Sequence, residues 1–352
     1  MATCASQPAM PKPEKPDRPA EPALPPPDLP VTIIQPVKGW VSLDLKELWR
    51  YRELFGFLVW RDVTVRYKQT VLGFTWALLV PVVNSGVFTA LFGRLARMPT
   101  DGLPPFLFYM SGLVIWRYFA TAMNAASNSL VGNQPLLTKI YLPRLIIPGA
   151  TVITPLVDFA VAFVLTLLLY LYFGVIPSFE ALLLPLLVLM AMAAALGVGL
   201  VFSALNVKYR DVREIVPILL QLWMWCTIIL PFSKLPERWG AWRYLYGLNP
   251  MAGVVEGFRW CLGRSAMFVD KEVSRVAVAM DALPETLTHS QRVVYESIAG
   301  STRQQAFLVE FVRQPVDAPW ALIGIGLPVT ALLLLFGLYY FKRMERQFAD
   351  VI

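Results

Sequence analysis

The chain has 352 residues, of which 57% are hydrophobic and 16% are charged, and its formal net charge is +7. A chain this long and this apolar is typical of a multi-span membrane protein and not of a soluble domain. Its positive charge gathers near the ends of apolar segments, where it acts as an orientation signal, so we expect no nucleic acid as a partner.

The chain begins with a proline-rich tail. Residues 1–36 are rich in Pro, Ala and charged residues and lack the apolar core of a signal peptide. We therefore expect a disordered, partly extended tail.

The next segment, residues 37–70, contains an amphipathic stretch over Leu48–Lys68. Apolar residues share one face of a helical wheel, and charged residues share the other. A basic, aromatic and amphipathic helix lies in the membrane interface and does not span the bilayer. The sequence thus predicts a cytoplasmic interface helix, which either anchors the first span or also contacts a partner.

Six apolar segments in residues 71–352 are long enough to cross a bilayer, whose core needs about 20 apolar residues per helix. They are Val71–Gly93, Phe106–Val131, Leu145–Phe173, Ala181–Asn206, Ile215–Pro231 and Pro319–Phe341. None of them alternates as the strands of a membrane β-barrel do. We predict an all-α integral membrane protein with six transmembrane helices, in which the small residues of Ala191–Gly199 allow close helix packing.

Lys and Arg near the span ends predict the orientation of the chain. Most of them lie on the side that holds the N-terminus, whereas the opposite short loops hold only Arg94 and Arg97. Because cytoplasmic loops carry the excess of positive residues, both termini are predicted to be cytoplasmic.

Two charged residues fall in the middle of predicted spans, Arg117 in the second and Asp158 in the third. At a rise of 1.5 Å per residue, both lie about 20 Å from the cytoplasmic ends of their spans. An isolated charge at this depth costs about 2.5 kcal/mol or more. Because these spans are consecutive and antiparallel, we predict an ion pair between Arg117 and Asp158.

A short amphipathic turn joins the second and third spans on the cytoplasmic side. Pro135 and Pro143 bound this turn, which has the sequence LLTKIYLPR over Leu136–Arg144. A turn of this kind can dock on a soluble partner. Its candidate docking residues are Leu136, Leu137, Lys139, Tyr141 and Arg144.

The segment after Pro231 is amphipathic but too interrupted to span a membrane. Asn249 and Pro250 suit the N-cap and the first position of a helix over Met251–Leu262. We expect two short re-entrant helices that enter the outer leaflet and return. Glu256 and Arg259 on the second helix either pair with each other or face a pore or a second protomer as part of an outer gate.

A charged insertion over residues 264–317 separates these helices from the last span. We expect it to be an extracytoplasmic soluble segment with about two helices.

The sequence lacks the residues needed for ATP hydrolysis at a phosphate loop, for a histidine- or cysteine-based metal site and for a histidine-based catalytic relay. No G-x-x-x-x-G-K phosphate loop occurs, so the chain does not hydrolyse ATP by that route. His289 is the only histidine, and the three cysteines do not cluster, so we predict neither a metal site nor a catalytic relay.

Four motifs, taken in order, carry a resemblance to a known family. They are Arg61-Asp62-x-x-x-Arg66-Tyr67 with Leu72, Gly73, Trp76 and Pro81; Asn206-x-Lys208-Tyr209-Arg210-Asp211-Val212; Leu248–Met251 with Glu256–Arg259; and Phe341–Arg346 with Phe348–Asp350. The chain from Leu48 onward, apart from 264–317, resembles the ABC-2 type permeases, and its ending resembles those that export O-antigen, related polysaccharides or teichoic acids. It departs from the family in its long insertion and in Arg117, where an uncharged polar residue is more usual.

The resemblance implies a homodimer in the bacterial inner membrane, working with two copies of a separate ABC ATPase subunit. ATP and Mg²⁺ would bind to that subunit, so this chain would bind no cofactor and would not be an enzyme. Leu136–Arg144 would be the coupling helix, and Arg61 and Arg66 would belong to the interface helix that grips the ATPase. The cargo would be a glycan linked to undecaprenyl diphosphate, moved to the outer side among membrane lipids.

The resemblance also suggests an outer gate and a pore. The gate residues would be Asn249, Pro250, Glu256 and Arg259. Arg117 could meet the anionic carrier in the pore instead of pairing with Asp158. Trp76 and Phe88 belong to an aromatic set that suits sugar rings, although each one alone is more typical of the membrane interface or of packing.

Two other functions remain open. One is an ABC-2 exporter of small molecules, which would have the same docking parts. The other is a membrane glycosyl- or acyltransferase, which needs a poised carboxylate or histidine. Asp62, Asp101 and Asp211 are candidates for that role, but none has a clustered partner in the sequence.

Overall fold

The computed structural model describes most of the chain between Trp49 and Glu345. The described residues are 49–68, 73–139, 142–229, 232, 237–278, 291–297 and 304–345. The predicted tail, residues 1–36, and Tyr141 of the docking turn lie outside them.

The described residues are mostly helical. Their α-helices are α1 Arg52–Lys68, α2 Gly73–Phe88, α3 Pro105–Gly132, α4 Gln134–Leu137, α5 Ile146–Ile153, α6 Leu156–Tyr172, α7 Leu184–Lys208, α8 Val212–Ile228, α9 Pro250–Gly263 and α10 Trp320–Glu345. A π-helical turn over Thr89–Leu95 continues α2, and 3-10 segments over Phe179–Leu183 and Glu237–Leu248 precede α7 and α9.

Within the described ranges, five helical stretches are long and apolar enough to cross a membrane. They are Thr75–Leu95, Pro105–Gly132, Ile146–Tyr172, Phe179–Lys208 and Trp320–Glu345. These stretches correspond to the first four predicted spans and to the last one, which confirms a helical multi-span membrane protein.

The fifth predicted span, Ile215–Pro231, forms a shorter helix than expected. Its helix, α8, has 17 residues, carries Glu214 in its first turn and contains Pro217. That length is below the roughly 20 residues that a bilayer core requires. Length and composition therefore do not place α8 across the membrane.

Helix α3 lies at the centre of the helical bundle. In its most apolar window 78% of the residues are buried, against 17% to 39% in the other four candidate spans. It packs against α2, α5, α6, α7, α8 and α9. Two of its buried serines are satisfied within the helix, since Ser111 and Ser129 donate to backbone carbonyls three or four residues earlier. The central position of α3 brings its one charged residue, Arg117, among several helices.

Helices α7 and α10 meet where both have a glycine. A Cβ added at Gly337 would overlap the carbonyl of Gly197, and one added at Gly197 would lie 2.8 Å from the Leu333 carbonyl. Small residues let two membrane helices approach this closely. The close packing predicted for Ala191–Gly199 is thus confirmed.

The insertion contains a β-sheet, so the expectation of helices there is wrong. Its strands are β1 Phe268–Val278, β2 Gln291–Ser297 and β3 Gln304–Pro315. They form an antiparallel sheet in the order β1-β3-β2. The reason lies in the sequence, where these segments are rich in valine and contain aromatic residues, a composition that favours strands.

Backbone hydrogen bonds connect this sheet to the helical bundle. The Phe268 amide donates to the Asp101 carbonyl at 2.9 Å, beside the loop that precedes α3. Gly102, with a φ of +86°, stands in that loop, and a Cβ there would come within 2.9 Å of the Ala266 carbonyl. The close approach of the two segments therefore requires a glycine at position 102.

Candidate functional site

A charged cluster lies in the middle of the third candidate span. Asp158 accepts hydrogen bonds from the guanidinium of Arg66 and from the hydroxyl of Tyr67, both near the end of α1. Burial, followed by the bond to Asp158, raises the pKa of the Tyr67 hydroxyl above its ordinary value. Tyr67 therefore stays protonated and acts as the donor in this bond.

This cluster replaces the predicted ion pair between Arg117 and Asp158. Within the described residues, no ion pair joins Arg117 to Asp158. The two side chains do line the same small cavity between α3 and α6, so they are neighbours as expected, but Asp158 binds a different partner. Helix α1 packs along α5, and its end reaches Asp158, a contact that the sequence did not predict.

An open cleft of about 390 Å³ lies between α2, α3 and α8. Polar side chains from all three helices line it beside apolar ones. They are Asn84, Arg117, Thr121, Asn124 and Gln221. Its wall includes prolines in α2 and α8, Pro81 and Pro217, which interrupt the regular backbone bonding of these helices.

A second groove, about 560 Å³ in volume, differs in character from this cleft. It lies between α6, α7 and α9, and every side chain that lines it is apolar, including Phe159, Phe163 and Phe258. A groove of this composition suits hydrocarbon, whereas the polar cleft beside Arg117 suits a ligand with hydrogen-bonding groups.

The predicted docking turn begins with α4, a single helical turn. Its exposed residues are Gln134, Pro135, Thr138 and Lys139. Leu136 and Leu137 are partly buried and pack towards the cluster formed by Leu58, Ile146 and neighbouring residues. The face available to a partner is therefore the polar one, and the two leucines hold the turn against α1 and α5.

Two arginines assigned to docking bind within the chain. Arg61 donates to Asp62 at 2.8 Å and to the side chain of Asn133 at 2.9 Å. Arg144 donates to the Glu345 carbonyl at 2.7 Å, at the C-terminal end of α10, where a cation also meets the negative end of the helix dipole. Both arginines connect the turn to other elements of the bundle.

At the other end of the bundle, Asn249 caps α9 as predicted. Its side-chain oxygen accepts from the Met251 amide at 3.1 Å and from the Trp223 indole at 2.8 Å. Its amide nitrogen donates to Thr227 at 2.8 Å. Trp223 and Thr227, which sequence reasoning did not single out, thus fix the start of α9 to α8, and Pro250 follows as a buried first residue.

Glu256 and Arg259 pair within α9 and face the interior of the chain. Arg259 is fully buried, and it donates to Glu256 at 3.1 Å, to the Phe108 carbonyl at 3.2 Å and to the Ile228 carbonyl at 2.9 Å. Its guanidinium also lies 3.8 Å from the centre of the Phe108 ring. Of the two alternatives left open by the sequence, the structure favours the intrahelical pair, and Arg259 connects α9 to α3 and α8.

The two aromatic pore candidates have different surroundings. Trp76 is exposed on α2. Phe88 packs 5.3 Å from Phe92 and 5.9 Å from Tyr109, measured between ring centres. Phe88 therefore belongs to an aromatic packing cluster, and Trp76 faces outwards from the described part of the chain.

Comparison with known proteins shows where this chain has relatives. The model of the family described as ABC-2 type transporter matches residues 53–262. The O-antigen export system permease protein RfbA of Myxococcus xanthus is 32% identical over 216 residues, which cover 61% of this chain and 82% of that protein. A protein of the same name from Klebsiella pneumoniae is 27% identical over 222 residues, covering 62% and 84%. The polysialic acid transport protein KpsM of Escherichia coli is 28% identical over 233 residues, covering 63% and 85%.

Proposed function

Because this chain belongs to the ABC-2 type transporter family, we propose that it is the membrane subunit of an exporter that moves a polysaccharide across the bacterial inner membrane. The observation that carries this proposal is the similarity to permeases named for O-antigen export and polysialic acid transport, over more than four fifths of their length. The family resemblance stated from the sequence motifs is confirmed by the same matches.

The energy for export comes from ATP hydrolysed by two copies of a separate ABC ATPase subunit, which hold ATP and Mg²⁺. Exposed Gln134, Pro135 and Lys139 form the face of the coupling turn offered to that subunit. The side-chain bond from Arg61 to Asn133 supports this arrangement, because it joins α1 to the start of the turn.

The working transporter is a homodimer with both termini of each chain in the cytoplasm. Helix α8 acts as the fifth of six spans, with its short length compensated by its polar first turn at the cytoplasmic surface. The segment from Glu237 to Gly263 is re-entrant from the outer side. This assignment is supported by α9, because all 14 of its residues are buried although the helix is too short to span the membrane.

The cargo is carried on a lipid diphosphate such as undecaprenyl diphosphate and passes beside the polar cleft. Polar side chains within a membrane bundle mark a path for a hydrophilic cargo, because in lipid they would lack partners. Asn84, Thr121 and Gln221 supply such groups.

Deletion of the gene in its native bacterium tests the proposal. We expect the strain to lose its surface polysaccharide and to accumulate the lipid-linked glycan on the cytoplasmic side, and the native gene supplied on a plasmid should restore export. Normal surface polysaccharide in the deletion strain would contradict the proposal, as a small-molecule exporter would leave it unchanged.

A further inference from the structure

Arg117 lies in the middle of a candidate membrane-spanning helix, near the carboxylate of Asp158 but not bonded to it in the described part of the chain. Among the described residues, its guanidinium takes part in no ion pair or hydrogen bond. It lies near the centre of α3, about 18 Å from the nearer end at 1.5 Å per residue. A charge at this depth is costly unless it meets an anion, a polar group or water, and such residues commonly mark substrate paths.

The acidic residue nearest to Arg117 already has partners. Asp158 lines the small cavity that Arg117 also lines, and it binds Arg66 and Tyr67. One carboxylate thus stands against two guanidinium groups, Arg66 and Arg117, so this part of the bundle carries an excess positive charge. A single anion from outside the chain would balance it.

The open cleft on the other side of Arg117 can admit such an anion. Its volume of about 390 Å³ falls within the range of about 300–1,000 Å³ typical of ligand pockets. None of the residues that line it is acidic. Asn84, Thr121, Asn124 and Gln221 add amide and hydroxyl donors from three helices around the guanidinium.

The donors suit a phosphate group. Guanidinium presents a planar fork of N–H groups that binds phosphate oxygens in pairs, and charge assistance makes these bonds strong. We propose that the cleft between α2, α3 and α8 binds a phosphate-bearing ligand, with Arg117 as its anchoring residue. The identification of that ligand with the lipid diphosphate of the cargo rests on the proposed function.

Neighbouring residues position the part of α3 that carries Arg117. Arg66 and Tyr67 bind Asp158, whereas Arg117 lines both the small cavity beside Asp158 and the cleft. Trp116, the residue before it, packs against Trp223 of α8 with ring centres 6.0 Å apart, and this contact joins the two walls of the cleft. Arg66, Tyr67 and Trp223 are therefore positioning residues for the site.

Binding of a fluorescent short-chain polyprenyl diphosphate to the full chain in phosphatidylcholine nanodiscs tests the inference. The variants are Arg117→Gln, which removes the charge, and Arg117→Lys, which keeps it. Arg94→Gln is the matched control, since Arg94 is an exposed arginine of the π-helical turn, outside the cleft. The unlabelled competitors are the same diphosphate, the matched polyprenyl alcohol and inorganic diphosphate.

We expect Arg117→Gln to weaken binding about tenfold or more, as the loss of a charged hydrogen bond does. Arg117→Lys should retain part of the affinity, Arg94→Gln should bind as the native chain does, and the alcohol should not compete. Competition by inorganic diphosphate would identify a soluble phosphate ligand for the site, and its failure to compete would identify a lipid-borne one.

Equal binding by the native chain and Arg117→Gln, or competition by the alcohol, would overturn the inference. The proposed function is tested independently of the anion site. If the deletion strain loses its surface polysaccharide while Arg117→Gln binds the probe and exports normally, only the anion site is lost. If the deletion strain keeps its polysaccharide while Arg117→Gln weakens probe binding, the anion site is supported and the proposed polysaccharide cargo is refuted.

Discussion

Arg61 of α1 donates a hydrogen bond of 2.9 Å to the side chain of Asn133, the residue that joins α3 to the coupling turn. The two residues are 72 positions apart in the chain, so this bond joins separate elements. Since α3 is also the helix that carries Arg117, a movement of the turn on docking of the proposed ATPase would be passed to the centre of the bundle. Coupling between a cytoplasmic partner and the cleft can follow this route.

The first prediction concerns this bond. Asn133→Ala removes the acceptor of Arg61 and should lower local stability by about 0.5–1.5 kcal/mol. We expect less glycan exported per ATP hydrolysed by the reconstituted complex. Gly132→Ala is the control, because nothing lies within 4 Å of the added methyl group. If Asn133→Ala exports as much glycan per ATP hydrolysed as the native chain, coupling does not pass through the bond between Arg61 and Asn133.

The second prediction concerns the charged cluster. Asp158→Asn leaves Arg66 without its carboxylate and should cost about 1–3 kcal/mol, tempered because both side chains are partly exposed. The exchanged double variant Arg66→Asp with Asp158→Arg should recover part of that loss. Arg117→Gln, by contrast, should leave the unfolding temperature in detergent nearly unchanged.

Thermal unfolding of these variants separates the observed pair from the one expected from sequence. If the exchange of Arg117 with Asp158 restores stability and the exchange of Arg66 with Asp158 does not, the assignment of partners is incorrect.

The third prediction concerns Arg259. Replacing it with Met leaves Glu256 buried and unpaired and removes the bonds to the Phe108 and Ile228 carbonyls. We expect a loss of about 3–5 kcal/mol, seen as aggregation in size-exclusion chromatography after mild heating. Arg264→Ala, at a half-exposed pair with Glu180, should cost at most about 1 kcal/mol. Equal behaviour of the two variants would show that Arg259 does not hold α9 in place.

The fourth prediction concerns the contact of α7 and α10. Gly337→Leu should disrupt it, because even a Cβ at this position would overlap the backbone of Gly197. Overpacking typically costs about 1–3 kcal/mol, and more when backbone must move. Gly324→Leu on the same helix meets open space and should fold normally. The yield of monodisperse protein compares them, and equal yields would contradict the close packing.

The fifth prediction concerns docking of the ATPase. Gln134→Glu with Lys139→Glu changes the charge of two exposed residues on the turn without touching the leucines beneath. We expect the ATPase subunit to be lost from affinity-purified complexes while the membrane subunit remains in the bilayer. Arg94→Glu, an exposed charge change outside the turn, should retain the ATPase. Full retention by the turn variant would mean that docking occurs elsewhere.

Sequence reasoning found the features that depend on local pattern. Hydropathy located five candidate spans, and Asn249-Pro250 located the start of α9, because both signals lie within one segment. It also placed Arg117 and Asp158 near each other, because the rise per residue of a helix is fixed, and both residues line one cavity.

Features that depend on contacts between distant segments could not be predicted from local sequence patterns. The partner of Asp158 depends on the packing of α1 against α5, which brings Arg66 and Tyr67 beside it. The inward direction of Arg259 depends on the carbonyls at Phe108 and Ile228, which lie far away in sequence. In the insertion, the four valines of Phe268–Val278 favour a strand, but the strand forms only because β3, which is distant in sequence, pairs with it.

ATP-driven transport in proteoliposomes tests the central claim most directly. The chain and its ATPase subunit are reconstituted together with the lipid-linked polysaccharide, and glycan that has crossed the bilayer is measured by its protection from an added glycosidase. The account predicts protection that requires ATP and both subunits and that falls with the turn variant. Glycan that stays equally accessible with and without ATP, although the complex hydrolyses ATP, would contradict it.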